Sequence, residues 1–236
     1  MMSVGQVLVR LRWVSLAIVG GALVSVATAQ ADWVATQTGA VEFVLAGEGR
    51  EFYTFALEVP ENVADGMPEG PVRDRLEAAA GTTEHSATWS VSDPVVFGGV
   101  VLLDPADLQV TLGTRPTQDQ HAGLGVMLLD FSLTLEGLEL SDPVDFPWSL
   151  RFYPESYTVS DFYTLTEGTF EVVSVERVDD VTLRVTGSFN GVLSRQARLG
   201  NAVHNPNDTL PISGTFDVRQ VVGVKSLSEV LGSSAQ

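Results

Sequence analysis

Apolar and polar side chains alternate with a period of two through much of the chain, and nothing else in the sequence restricts the fold as strongly. In 127–135 the odd positions are Met127, Leu129, Phe131, Leu133 and Leu135, with Asp130, Ser132 and Thr134 between them. In 181–189, Val181, Leu183, Val185 and Phe189 alternate with Thr182, Arg184, Thr186 and Ser188. In 210–218, Leu210, Ile212, Phe216 and Val218 alternate with Pro211, Ser213, Thr215 and Asp217. Successive side chains on a strand point to opposite faces, so each segment reads as a strand with one wet face. Shorter matches lie at 41–45, 53–59, 95–103 and 108–112.

Turn residues separate these runs: Gly47-Glu48-Gly49, Gly98-Gly99, Asp104-Pro105, Asp142-Pro143, Asp179-Asp180 and Asn205-Pro206-Asn207. The pattern supplies no crossover helices, so the strands pair antiparallel. Two short helices are expected. One runs over 71–80, with Pro71 in its first turn, Val72 and Leu76 on one face and Gly81 as its stop. The other runs over 226–231, with Ser226 and Glu229 as a capping box. The fold class is therefore all-β: an antiparallel β-sandwich or partly closed β-barrel with one or two short peripheral helices. Three segments share a Gly-hydroxyl-Phe pattern, Gly168-Thr169-Phe170, Gly187-Ser188-Phe189 and Gly214-Thr215-Phe216. In the last two the glycine faces inward, where a missing side chain leaves room for a neighbouring ring or permits a bulge.

The N-terminus reads as an address. Arg10 and Arg12 precede an apolar run from Trp13 to Val26, and Ala27-Thr28-Ala29 offers small residues for a cut before Gln30. A second choice cuts before Asp32. Fourteen residues span only ~21 Å, against a hydrocarbon core of ~30 Å. Residues 1–31 are expected to be a secretory signal peptide and 32–236 a single all-β domain, periplasmic or secreted, with no membrane span after signal cleavage.

With 44% hydrophobic and 18% charged residues among 236, the chain has enough apolar surface for a core. The absence of cysteine rules out thiol nucleophiles, iron–sulfur clusters and disulfide staples. A net charge of −17, with Lys225 the one lysine, argues against nucleic acid as a partner.

Motifs for chemistry are missing. His85, His121 and His204 have no partner at metal-ligand spacing. There is no Gly-x-Ser-x-Gly, and Ser86 beside His85 would point to the opposite face of a strand. No cofactor and no bound metal are expected. Asn205, Asn207 and Asp208 put three oxygen ligands in one loop, a calcium candidate without the EF-hand order. The densest unusual feature is aromatic. Phe146, Trp148, Phe152, Tyr153, Tyr157, Phe162 and Tyr163 fall within 146–163. Trp148, Phe152, Tyr153, Tyr157 and Tyr163 are the candidate ligand or partner surface, because flat amphipathic rings grip proteins and glycans.

The pieces 100–108 and 185–189 resemble the YceI-like periplasmic family. That resemblance implies a lipocalin-like barrel holding an apolar ligand, and no site residue is carried over from it. Three function classes follow. The first is an exported non-enzymatic β-domain, a binding or structural module for a protein or glycan. The second is a lipocalin-like barrel carrying a small apolar ligand. The third is a hydrolase whose site is assembled from distant residues.

Overall fold

A computed structural model describes residues 7–9, 33–91, 95–97, 100–103, 107–117, 125–134, 137–139, 148–154, 161–196, 204–223 and 225–227. In chain order the elements are β1 (Val7–Val9), β2 (Trp33–Leu45), β3 (Glu48–Glu58), α1 (Pro71–Ala79), β4 (Thr83–His85), β5 (Ala87–Val91), β6 (Val95–Phe97) and β7 (Val100–Leu103). They continue with β8 (Asp107–Thr114), β9 (Val126–Thr134), β10 (Trp148–Tyr153), β11 (Phe162–Arg177), β12 (Thr182–Gln196) and β13 (His204–Gly223). Two compact units emerge: Gln37–Phe55 with His85–Gln236, and Met1–Thr36 with Ala56–Glu84.

The larger unit is a ring of mostly antiparallel strands. From β13 the hydrogen-bonded path runs through β12, β11, β10, β9, β8 and β5, and β5 returns to β13. The long strands fix the register: Phe189 lies opposite Gly214 and Gly187 opposite Phe216. The gap between β13 and β8 is filled by two different elements along its length. Ile212 to Val218 of β13 pair with β2, and Tyr53 of β3 bridges Arg115, just past β8. Further along, Val222 and Gly223 pair with Thr88 and Trp89 of β5, and β5 pairs β8 from Ala87↔Leu112 to Val91↔Leu108. The ring therefore closes without being a clean barrel. The β5–β13 contact is parallel, unlike the wholly antiparallel sheet expected from sequence. More than a hundred residues separate the two strands, so no local crossover is needed.

Turn chemistry sets the hairpins. Ala46 (φ 51°) and Gly47 (φ 88°) form the two-residue connection between β2 and β3. Two positive φ values match the right-handed twist of the flanking strands. The turn sits one residue earlier than the Gly47-Glu48-Gly49 expected from sequence. Asp179 closes the β11–β12 hairpin, its Oδ1 accepting the N–H of Val181 at 2.8 Å and of Thr182 at 2.7 Å. The run at 95–103 is two strands, β6 and β7, paired with each other.

The inward faces of β2, β8, β9, β10, β12 and β13 meet in one core. It includes Val41, Phe43, Leu108, Leu112, Leu129, Phe131, Leu150, Leu183, Phe189, Ile212 and Phe216, all buried. The outward face of β8–β10 is polar. There Asp130 accepts from Thr111 Oγ1 at 2.8 Å and from Arg151 at 2.8 Å.

In the smaller unit, β1 lies antiparallel to Trp33–Ala35. Helix α1 begins with Pro71 and is followed by Gly81 at φ 72°, as a proline start and glycine stop require. Leu76, Ala79 and Ala80 pack on the buried Val59, Val63 and Ala64. Val72, expected on the same face, is 68% exposed. Its first-turn position projects beyond that small cluster. Among the described residues no helix is long and apolar enough to cross a membrane. The second expected helix, 226–231, lies outside the described residues beyond Leu227, as does most of 1–31.

Candidate functional site

The aromatic segment is core before it is surface. Trp148, Phe152 and Tyr153 are 7%, 2% and 4% exposed. Strand β10 pairs β9 on one side and sends Trp148, Leu150 and Phe152 inward on alternate positions. Tyr153 is also buried, and its ring stacks on Phe162 at 5.2 Å. Burial of these rings excludes water from a large apolar area, which explains why they leave the exterior. The partner surface expected of Trp148, Phe152 and Tyr153 is thus occupied by the protein itself. Tyr163 is half-buried against the core, and its hydroxyl donates to Asp208 Oδ1 at 3.1 Å. Burial first, and that bond second, push its pKa up. Tyr157 lies outside the described residues.

Phe170 of β11 organises the centre of the ring. It stacks on Trp148 at 5.1 Å and on Phe216 at 5.7 Å, and meets Phe131 at 5.0 Å. Phe43 meets Phe52 edge-on at 5.0 Å. Arg50 stands over the Phe152 ring, 5.7 Å from its centroid. Together these rings pack into the core of the larger unit.

The histidines do not gather. His85 ends β4, half-buried, and its Nδ1 is buried with no hydrogen-bond partner. Burial lowers its pKa. His204 pairs Gln196 through the backbone of β13, and His121 lies outside the described residues. Among the described residues no group of three His, Asp or Glu side chains could hold a metal.

The calcium candidate is a turn and an ion pair. Asn205 Oδ1 accepts the Asn207 N–H at 3.1 Å. Asp208 accepts from Tyr163 through one oxygen and from Arg195 at 3.3 Å through the other. Arg195 also bonds Asp161 at 3.0 Å. A guanidinium therefore stands where a cation would need free carboxylate oxygen.

One open groove, about 850 Å³, lies in the larger unit over β2, β3 and β13. Glu42, Val44, Arg50, Glu51, Ser213 and Thr215 contribute to its lining, with Phe43, Phe189 and Gly214 at its floor. Sequence reading missed it because the lining comes from strands far apart in the chain. Val44 of that lining is 44% exposed, between the buried Phe43 and Leu45. Compared with known proteins, the chain matches no family model, no curated protein and no solved structure.

Proposed function

We propose that this chain is an exported, non-enzymatic β-domain, acting as a binding or structural module in the periplasm or outside the cell. The observation that carries the reading is the filled ring. Phe170 stacked between Trp148 and Phe216 occupies the interior with the protein's own side chains. A wall of hydrogen-bonded strands around a packed core is a scaffold, and scaffolds present function on their outer faces and edges. The hydrolase alternative lacks support at His85, whose Nδ1 meets no acid or nucleophile. The signal-like segment before Gln30 and Asp32 supports export.

Native mass spectrometry of the exported chain, before and after organic extraction, tests the reading. A protein mass free of extractable ligand is expected. Extractable apolar mass would overturn it in favour of a ligand-carrying barrel. N-terminal sequencing of the same sample tests export, with Gln30 or Asp32 as the expected first residue.

A further inference from the structure

Strand register explains how the open groove is made. On β2, Glu42 and Val44 alternate with the buried Phe43 and Leu45 and so face outward. Across the ladder Thr215 lies opposite Glu42, and Ser213 opposite Val44. On β3 the buried Phe52 turns to the core and leaves the exposed Glu51 on the outer side. Short side chains at Ser213 and Thr215, and none at Gly49, leave a space of about 850 Å³ above the strands. Val44, 44% exposed, adds an apolar patch to it.

The charges of the groove are unbalanced. Among the described residues of its lining Arg50 is the one cation, and it pairs with Glu48 at 3.2 Å. No ion pair among the described residues includes Glu42 or Glu51. Both carboxylates act on one neighbour. A hydrogen bond to Glu51 first, then burial, then the charges of Glu51 and Glu42 hold the Tyr53 hydroxyl above its usual pKa. Two negative charges thus converge on one side chain, and Val44 shares their face of the sheet.

That combination selects the occupant. A second copy would bring another net −17, and like charge opposes it. A glycan finds no open aromatic face, since Phe43 and Phe189 are each 3% exposed. Calcium takes ~6–8 oxygen ligands, and among the described residues no group of three His, Asp or Glu side chains could hold a metal. The volume falls within the ~300–1,000 Å³ of ligand clefts, but the groove is open. A small molecule there would stay largely in water, whereas a segment of a larger partner brings its own cover. Arginine matches both features of the lining: its stem is apolar, and its guanidinium is always charged and suited to carboxylates.

We propose that the outer groove of β2, β3 and β13 docks an arginine side chain presented by an extended segment of a partner protein, with the stem along Val44 and the guanidinium at Glu42 and Glu51. The proposal rests on the reading of the chain as a binding module and names its surface.

The test uses the full exported chain and a fluorescent nine-residue peptide of alternating Ser and Arg, followed by anisotropy. In a second peptide citrulline replaces every arginine, so the shape is kept and the charge is lost. The first peptide is expected to bind about tenfold tighter than the second, with a comparable loss in the double variant Glu42→Gln, Glu51→Gln. Thr215→Arg, which sets a resident guanidinium in the groove, should weaken binding as much. All three substitutions fall on exposed side chains, so the fold is kept. Glu167→Gln, an equally exposed acid on β11, should change binding far less. Absence of binding, equal binding of the citrulline peptide, or an equal loss with Glu167→Gln overturns the groove proposal, the last because overall acidity would then suffice. Such a failure is separable from failure of the module reading, which the extraction experiment decides alone.

Discussion

The ring of Phe216 lies directly over Gly187, its partner across β12 and β13. A Cβ built on Gly187 would fall 2.4 Å from Phe216 Cζ and 2.4 Å from the Glu171 carbonyl oxygen. The arrangement is reciprocal: Phe189 lies over Gly214 one step along the ladder, with Cζ 2.8 Å from where that Cβ would be. Each glycine makes room for the ring of the facing strand. The stack of Phe216 on Phe170 depends on that room.

Gly187→Ala should therefore destabilise the larger unit by about 1–3 kcal/mol, the usual cost of overpacking a filled core. The urea midpoint measures it. Combining Gly187→Ala with Phe216→Leu should cost less than the two changes summed, because the smaller side chain relieves the clash. Strict additivity would mean that the ring and the glycine do not depend on each other.

Room for a ring beside Gly187 and Gly214 was legible before the structure, because Gly-hydroxyl-Phe recurs in the alternating runs 181–189 and 210–218; which ring fills each gap was not. The faces of β9, β12 and β13 were legible for the same reason: one side is wet, so the alternation is clean. Strands β10 and β11 were not. Adjacent rings at Phe152-Tyr153 and Phe162-Tyr163 hide the parity, and two bulges in β11 shift it. An aromatic cluster in a half-polar segment looks like a binding face, whereas here it plugs a ring whose closure depends on distant strands. The groove was invisible for that reason too, since strand pairing brings its lining together.

Trp148→Ala should act as a core truncation, costing about 3–5 kcal/mol, rather than as a surface change. Its ring stacks on Phe170 and comes within 3.2 Å of the place a Gly168 Cβ would take. Thermal melting followed by near-ultraviolet dichroism reads the loss. A variant as stable as the parent would return Trp148 to the surface.

Calcium should leave the melting temperature unchanged at millimolar concentration. The ion needs ~6–8 oxygen ligands, while Asp208 is engaged by Tyr163 and Arg195, and Asn205 Oδ1 by the Asn207 amide. A calcium-dependent rise in melting temperature that Asp208→Asn abolishes would show that the ion displaces Arg195.

His85 should make the protein lose stability as pH falls from neutral. Its Nδ1 is buried without a partner, and burial holds its pKa below the usual histidine value. Above the unfolded value of ~6.5 the imidazole is neutral in both states and contributes nothing. Below it the unfolded chain takes up the proton first, so unfolding gains free energy until pH has passed through the lower folded value. A histidine paired with a carboxylate would do the reverse, gaining stability over the same range. Urea midpoints at about pH 7.5 and about pH 5.5 bracket the unfolded value. Compared at those two points, His85→Gln should lose less stability than the parent, since glutamine does not titrate. Equal losses in both proteins would mean that His85 finds a proton acceptor, or water, in the folded state.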